Sequence, residues 1–146
     1  MKGFTDPDFI DYKAESLVAC FAEGTTFKAI DIFDKAFKKA AKKYKFEYTL
    51  CEDIFPPTRR WTEETQLDYL SKIGKDAMMY FQWDYQDRRN GAFWESEVTL
   101  IDADTKRVVW VGRITLDIKG WALTGSKNAA IIVKLALDDL KSKNHL

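Results

Sequence analysis

The sequence predicts a mixed α/β (α+β) domain with the element order β-α-β-α-β-β-β-α, and three observations carry that prediction. Short apolar runs alternate with amphipathic helical stripes through the first half of the chain. Residues 77–85 then alternate strictly between apolar and polar positions. Turn signals at 88–91 and 102–106 fold the later strands into hairpins. Strands separated by helices pair in parallel through crossovers, whereas strands joined by tight turns pair antiparallel.

Residues 1–15 read as an extended arm, because Gly3, Pro7 and the aspartates Asp6, Asp8 and Asp11 deny any sustained periodicity. Ser16–Phe21 is a short apolar run suited to a buried strand, and Glu23-Gly24 closes it. Phe27, Ile30, Phe33, Phe37, Ala40, Ala41 and Tyr44 then recur at three- and four-residue steps, which draws one apolar stripe along a helix that Thr25 or Thr26 can cap. The opposite face carries Lys35, Lys38, Lys39, Lys42 and Lys43. Lysines crowded at a helix carboxyl end complement its dipole, so this face is expected to be merely solvated.

Residues 46–55 suggest a second strand with Tyr48, Leu50 and Ile54 on its apolar face, ended by Pro56-Pro57, which lack ladder donors. Thr62, with Glu63 and Glu64 behind it, opens a short helix striped by Leu67, Leu70 and Ile73, and Gly74 stops it. In the third strand Ala77, Met79, Phe81, Trp83 and Tyr85 share one side. Asn90-Gly91 suits a tight hairpin, and strands at 93–101 and 107–117 come after it. After a loop at 118–125 containing Trp121, Ser126 opens a last helix with Ala129, Ile132, Val133, Ala136, Leu137 and Leu140 inward. Right-handed crossovers then predict a five-stranded mixed sheet in the order 2-1-3-4-5 with helices on its faces. The domain is expected over 16–142, between the arm at 1–15 and a frayed tail at 143–146.

Lysine plus arginine and aspartate plus glutamate balance at 23 each, so no chain-wide field exists to hold a nucleic-acid backbone or an anionic membrane. No apolar run approaches the roughly 18 residues a membrane-spanning helix needs. Leu17-Val18-Ala19-Cys20 has the form of a lipoprotein cleavage box, but Asp6, Asp8, Asp11, Lys13 and Glu15 occupy the stretch that would have to be apolar. The match is accidental, and a strand is the better reading.

Cys20 and Cys51 are too few for a metal site, and the one histidine, His145, lies in the expected tail. The cysteines read as two buried, inert thiols, with a disulfide between neighbouring strands as the alternative. A single histidine leaves no nucleophile–base triad, and no glycine-rich phosphate cradle follows a strand. No enzyme activity, cofactor or metal is therefore expected. Paired carboxylates, Asp84 with Asp87 or Glu95 with Glu97, are the remaining catalytic option, although Glu95 and Glu97 alternate as the wet side of a strand.

What the chain does offer is an aromatic and arginine cluster at the first hairpin: Trp83, Tyr85, Arg88, Arg89 and Trp94. Such residues anchor protein interfaces, because they combine large apolar contact with directional hydrogen bonds. The hairpin is the expected protein-binding site. A nucleic-acid-binding domain using the lysine face at 35–45 and the sheet aromatics is the runner-up.

Several strings resemble a group of bacterial cell-envelope lipoprotein domains akin to the curli secretion-channel lipoprotein and the amino-terminal domain of the Tol-Pal protein TolB. They are Gly3-Phe4-Thr5-Asp6-Pro7-Asp8-Phe9, Phe55-Pro56-Pro57-Thr58-Arg59-Arg60, Ile73-Gly74-Lys75-Asp76-Ala77, and the hairpin from Leu100 through Asp102-Ala103-Asp104-Thr105-Lys106 to Val109-Trp110. The chain departs from the pattern where a glycine would ease that hairpin, since Lys106 stands there. The resemblance implies a non-catalytic protein-binding or assembly module in the periplasm, lipid-anchored to the outer membrane through an upstream cysteine. Its partners would be envelope proteins or further copies of itself, with membrane contact only through that anchor. A native start at Met1 would instead leave the protein cytoplasmic.

Overall fold

The computed structural model describes the backbone of residues 1–88, 91–118 and 126–146, and the side chains of those segments apart from 84–94 and 117–127. Among the described residues six strands form one mixed sheet: β1 (Lys2–Thr5), β2 (Ser16–Phe21), β3 (Glu47–Leu50), β4 (Ala77–Arg88), β5 (Gly91–Asp102) and β6 (Val108–Ile118). Helices α1 (Phe27–Tyr44) and α4 (Ser126–Ser142) pack on one face, and α2 (Cys51–Ile54) and α3 (Glu63–Lys72) on the other.

The α/β class holds, and the expected sheet is corrected by one strand. The sheet has six strands, not five, in the order β1-β6-β5-β4-β2-β3; the five expected strands, now β2 to β6, keep their expected 2-1-3-4-5 arrangement, and the sixth is added at the edge beside β6. The added strand comes from the arm: Lys2–Thr5 pairs antiparallel with β6, matching Gly3 to Gly112 and Thr5 to Trp110. Strand β2 pairs in parallel with both β3 and β4, while β4, β5 and β6 form an antiparallel meander.

Alternation along β2 explains why it reads as an unbroken apolar run: both of its faces are covered. Leu17 and Ala19 enter the larger core with Phe33, Phe37, Met79, Phe81, Trp110 and Leu137. Val18 and Cys20 enter a smaller core with Cys51, Phe55, Leu67, Leu70, Met78 and Ile101. The α1 stripe behaves as its period requires at Ile30, Phe33 and Phe37, which are buried, whereas Phe27 in the first turn is 83% exposed. The Thr26 hydroxyl accepts from the Ala29 N–H and starts the helix.

The run at 46–55 is not one strand. It breaks after Leu50 into the single turn α2, which swings Cys51 under β2 to form a disulfide with Cys20 across a Cα–Cα distance of 4.9 Å. The expectation of two inert thiols is thereby corrected, and the bridge joins β2 to α2 rather than two neighbouring strands.

Helix α3 begins at a capping box between Thr62 and Thr65 and buries Leu67 and Leu70, while Ile73 falls past its end and is largely exposed. The β5–β6 turn is built on Asp102, whose carboxylate accepts from the Thr105 N–H at 2.9 Å and the Thr105 hydroxyl at 2.7 Å. Lys106 sits there at φ 61°, the left-handed conformation that glycine would adopt without steric penalty.

Nor is 143–146 a frayed tail. His145 is 1% exposed; its Nδ1 lies 2.7 Å from the Tyr12 carbonyl and its Nε2 2.9 Å from the Thr5 hydroxyl. The Ala14 N–H in turn donates to the His145 carbonyl at 2.8 Å, so the carboxyl end clasps the arm onto the domain.

Candidate protein interface

The three strands of the meander are far longer than their neighbours, and this mismatch leaves part of the meander without a flanking strand among the described residues. Strand β2 ends at Phe21, opposite Phe81, and the Ala22 N–H makes the last bond to β4 at the Phe81 carbonyl. Strand β1 begins opposite Arg113. Beyond those points β4 and β6 run on at 82–88 and 114–118, flanking β5, with no further strand beside either among the described residues. The result is a three-stranded blade that extends past the ends of β1 and β2.

One face of the blade continues the larger core. Trp83 stacks with Phe21 and Phe81, contacts Phe33, and donates its indole N–H to the Thr25 hydroxyl at 3.1 Å. Of the five residues expected to bind a partner, Trp83 is therefore partly committed to the core. Tyr85 lies directly opposite Trp94 in the β4–β5 register, and Arg88 lies opposite Gly91, so the backbone brings these three to the blade's outer half. Arg89 lies outside the described residues, as does Trp121.

The other face is open and polar. Gln82, Glu97 and Arg113 form one cross-strand row, and Asp84, Glu95 and Thr115 form the next. Glu97 pairs with Arg113 at 3.4 Å. A groove of about 630 Å³ runs along this face between Ala22 and Thr115. The carboxylates considered as an acid–base pair thus split: Glu97 is engaged by a cation and Glu95 faces solvent. Asp84 and Asp87 are placed by backbone only.

The lysine face of α1 is partly neutralised along its own helix. Lys35 pairs with Asp31 at 2.9 Å and Lys38 with Asp34 at 2.8 Å. Asp34 also accepts from the Tyr48 hydroxyl at 2.7 Å; burial first, then that carboxylate, pushes the Tyr48 phenol well above its ordinary range. Tyr44 is pushed up to about 12 by burial and by its bond to Asp138.

Among the described residues no group of three or more histidine, cysteine, aspartate or glutamate side chains is arranged to hold a metal, and no helix is long and apolar enough to cross a membrane. Sequence reasoning missed the two open strand edges of the blade. Their signal was length: β4 continues to Arg88, past the apolar run that β2 can flank.

No family model matches the chain, and no curated protein does. Solved structures do. A PelC dodecamer from Paraburkholderia phytofirmans superposes with a TM-score of 0.53 at 14% identity, covering 90% of this chain and 92% of that one. The lipoprotein GNA1162 from Neisseria meningitidis superposes with a TM-score of 0.52 at 13% identity, covering 84% of this chain and 96% of that one. At these identities the likeness is one of fold.

Proposed function

We propose that this chain is a non-catalytic assembly module of the bacterial cell envelope, exported to the periplasm and held at the outer membrane by a lipid anchor, which works by binding protein, foremost further copies of itself. The observation that carries the reading is the fold shared along almost its whole length with one protein described as a lipoprotein and another described as a dodecamer. The Cys20–Cys51 disulfide supports the location independently, because such bonds persist in oxidising compartments and are rare in the cytosol. The blade supports the binding role: it presents aromatic and arginine positions and, among the described residues, two strands that run on past their last neighbour.

Analytical ultracentrifugation of the oxidised protein tests the reading. A discrete oligomer of defined mass is the expected result. A monomer at every concentration reached would overturn self-association, and recovery of the native protein in the cytosolic fraction of its own cells would overturn the envelope location.

A further inference from the structure

We infer that copies of this chain join edge to edge, the β6 strand of one blade pairing in parallel with the β4 strand of the next, so that the meander becomes a segment of a sheet continued from copy to copy. This rests on the self-association reading above and names the seam that performs it.

The geometry starts from which backbone groups point outward. The Asp6 N–H donates to the Val109 carbonyl at 2.9 Å, so Val109 faces β1. Backbone direction alternates along a strand, so Val111 and Arg113, opposite Phe4 and Lys2, also face β1. Thr115 and residue 117 then face the same way, past the point where β1 has begun. On the opposite side the Phe81 carbonyl accepts from Ala22, which turns Trp83 and alternate residues after it outward, past the end of β2. Each blade therefore has a row of backbone donors and acceptors on both flanks.

An exposed strand edge is a template for another strand, and folded proteins pair it, cover it or blunt it. Among the described residues neither flank has a strand to pair with. A second copy fits both needs at once. Strands β4 and β6 are each antiparallel to β5, hence parallel to one another. Joining β6 of one copy to β4 of the next continues the sheet with the same sense and leaves Gln82, Glu97, Arg113 and Thr115 on one continuous polar face. A two-fold seam, β4 to β4 or β6 to β6, would leave the other edge of every copy open. The head-to-tail seam consumes both edges, as a heterologous interface does when it repeats from copy to copy.

The test uses the full chain with its native disulfide intact. In Thr115→Pro the outward N–H is removed while the β5 ladder is kept, which an edge strand tolerates. Chains carrying Thr115→Cys are also mixed with chains carrying Gln82→Cys or Asp84→Cys under mild oxidation; Cys20 and Cys51 are buried and already paired. The expected results are a monomeric Thr115→Pro variant with an unchanged circular dichroism spectrum, and disulfides that link only unlike chains. Links between like chains alone would establish a two-fold seam and overturn the head-to-tail pairing. If the wild type assembles, unlike chains fail to link and Thr115→Pro still assembles, the seam lies elsewhere and self-association stands. If Thr115→Pro fails to fold, the cross-links alone decide. A wild type that stays monomeric overturns both the seam and the reading beneath it.

Discussion

The indole N–H of Trp110 donates to the Asp139 carboxylate at 2.8 Å, which ties β6 to α4 through the floor of the larger core. The ring fits only because two glycines face it. A Cβ on Gly112 would lie 2.3 Å from the Trp110 ring, and one on Gly3 would lie 2.0 Å from Asp139. Gly3 and Gly112 are cross-strand partners, so β1 can close over the tryptophan only where both side chains are missing.

Gly112→Ala is therefore expected to lose roughly 1 to 3 kcal/mol by overpacking, since the neighbour it meets is a buried ring rather than a flexible chain end. Asp139→Ala should lose a similar amount, about 1 to 3 kcal/mol, by leaving the indole donor unpaired. Urea unfolding followed by tryptophan fluorescence measures both. If either variant matches the wild type, Trp110 has room that the structure does not show.

Phe33→Ala is expected to lose about 3 to 5 kcal/mol, because Phe33 is fully buried among Phe21, Phe81 and Trp83. Lys39→Ala, on the solvated face, should change stability by less than about 0.5 kcal/mol. Equal shifts in thermal unfolding would mean that the phase of α1 is wrong.

These two cases show what makes structure legible in sequence. The α1 stripe repeats over several turns, and β4 alternates long enough to fix its face, so both can be read without knowing what they pack against. Strand β1 has four residues and no period; it exists because Gly112 leaves space opposite Gly3, which is a tertiary fact. The run at 46–55 misleads because its apolar residues serve two elements, β3 and then α2. At the candidate interface the aromatic residues are visible in sequence, but the open edges depend on where β1 and β2 stop. His145 is hidden for the same reason: a single residue near a terminus carries no pattern that foretells burial.

Removing the disulfide with Cys20→Ser and Cys51→Ser together should lower stability by about 3 to 4 kcal/mol, from the entropy regained when a 31-residue separation is no longer bridged. The same loss should appear for the wild type on adding reductant during denaturant unfolding. Insensitivity to reductant would remove the support that the bond gives to an oxidising location.

Stability should fall at high pH. Tyr48 and Tyr12 are held protonated in the fold, by burial first and then by the carboxylates of Asp34 and Asp102. In the unfolded chain both ionise near about 10. A raised folded value means that the stabilisation is complete below that pH and declines above it, as the unfolded chain releases protons first. For Tyr44 the decline spans the interval from about 10 up to about 12. Denaturant midpoints across this range should drop for the wild type and drop less steeply for Tyr48→Phe. Parallel profiles would show that Tyr48 does not ionise differently on folding.

The clasp at His145 should fail locally. Its imidazole bridges the Tyr12 carbonyl and the Thr5 hydroxyl while its carbonyl accepts from Ala14, so it joins the carboxyl end to three points on the arm. His145→Ala removes the ring contacts and leaves the Tyr12 carbonyl without its partner, at a cost of roughly 1 to 3 kcal/mol. The core between α1 and the sheet does not depend on those contacts, so opening is expected to be confined to β1 and residues up to Ala14, a unit of lower stability than the whole. Hydrogen exchange resolves this: amides paired between β1 and β6 should exchange faster in His145→Ala, while those of α1 and β4 keep the wild-type rate relative to global unfolding. Uniform acceleration across α1, β4 and β1 would show instead that the tail is part of the cooperative core.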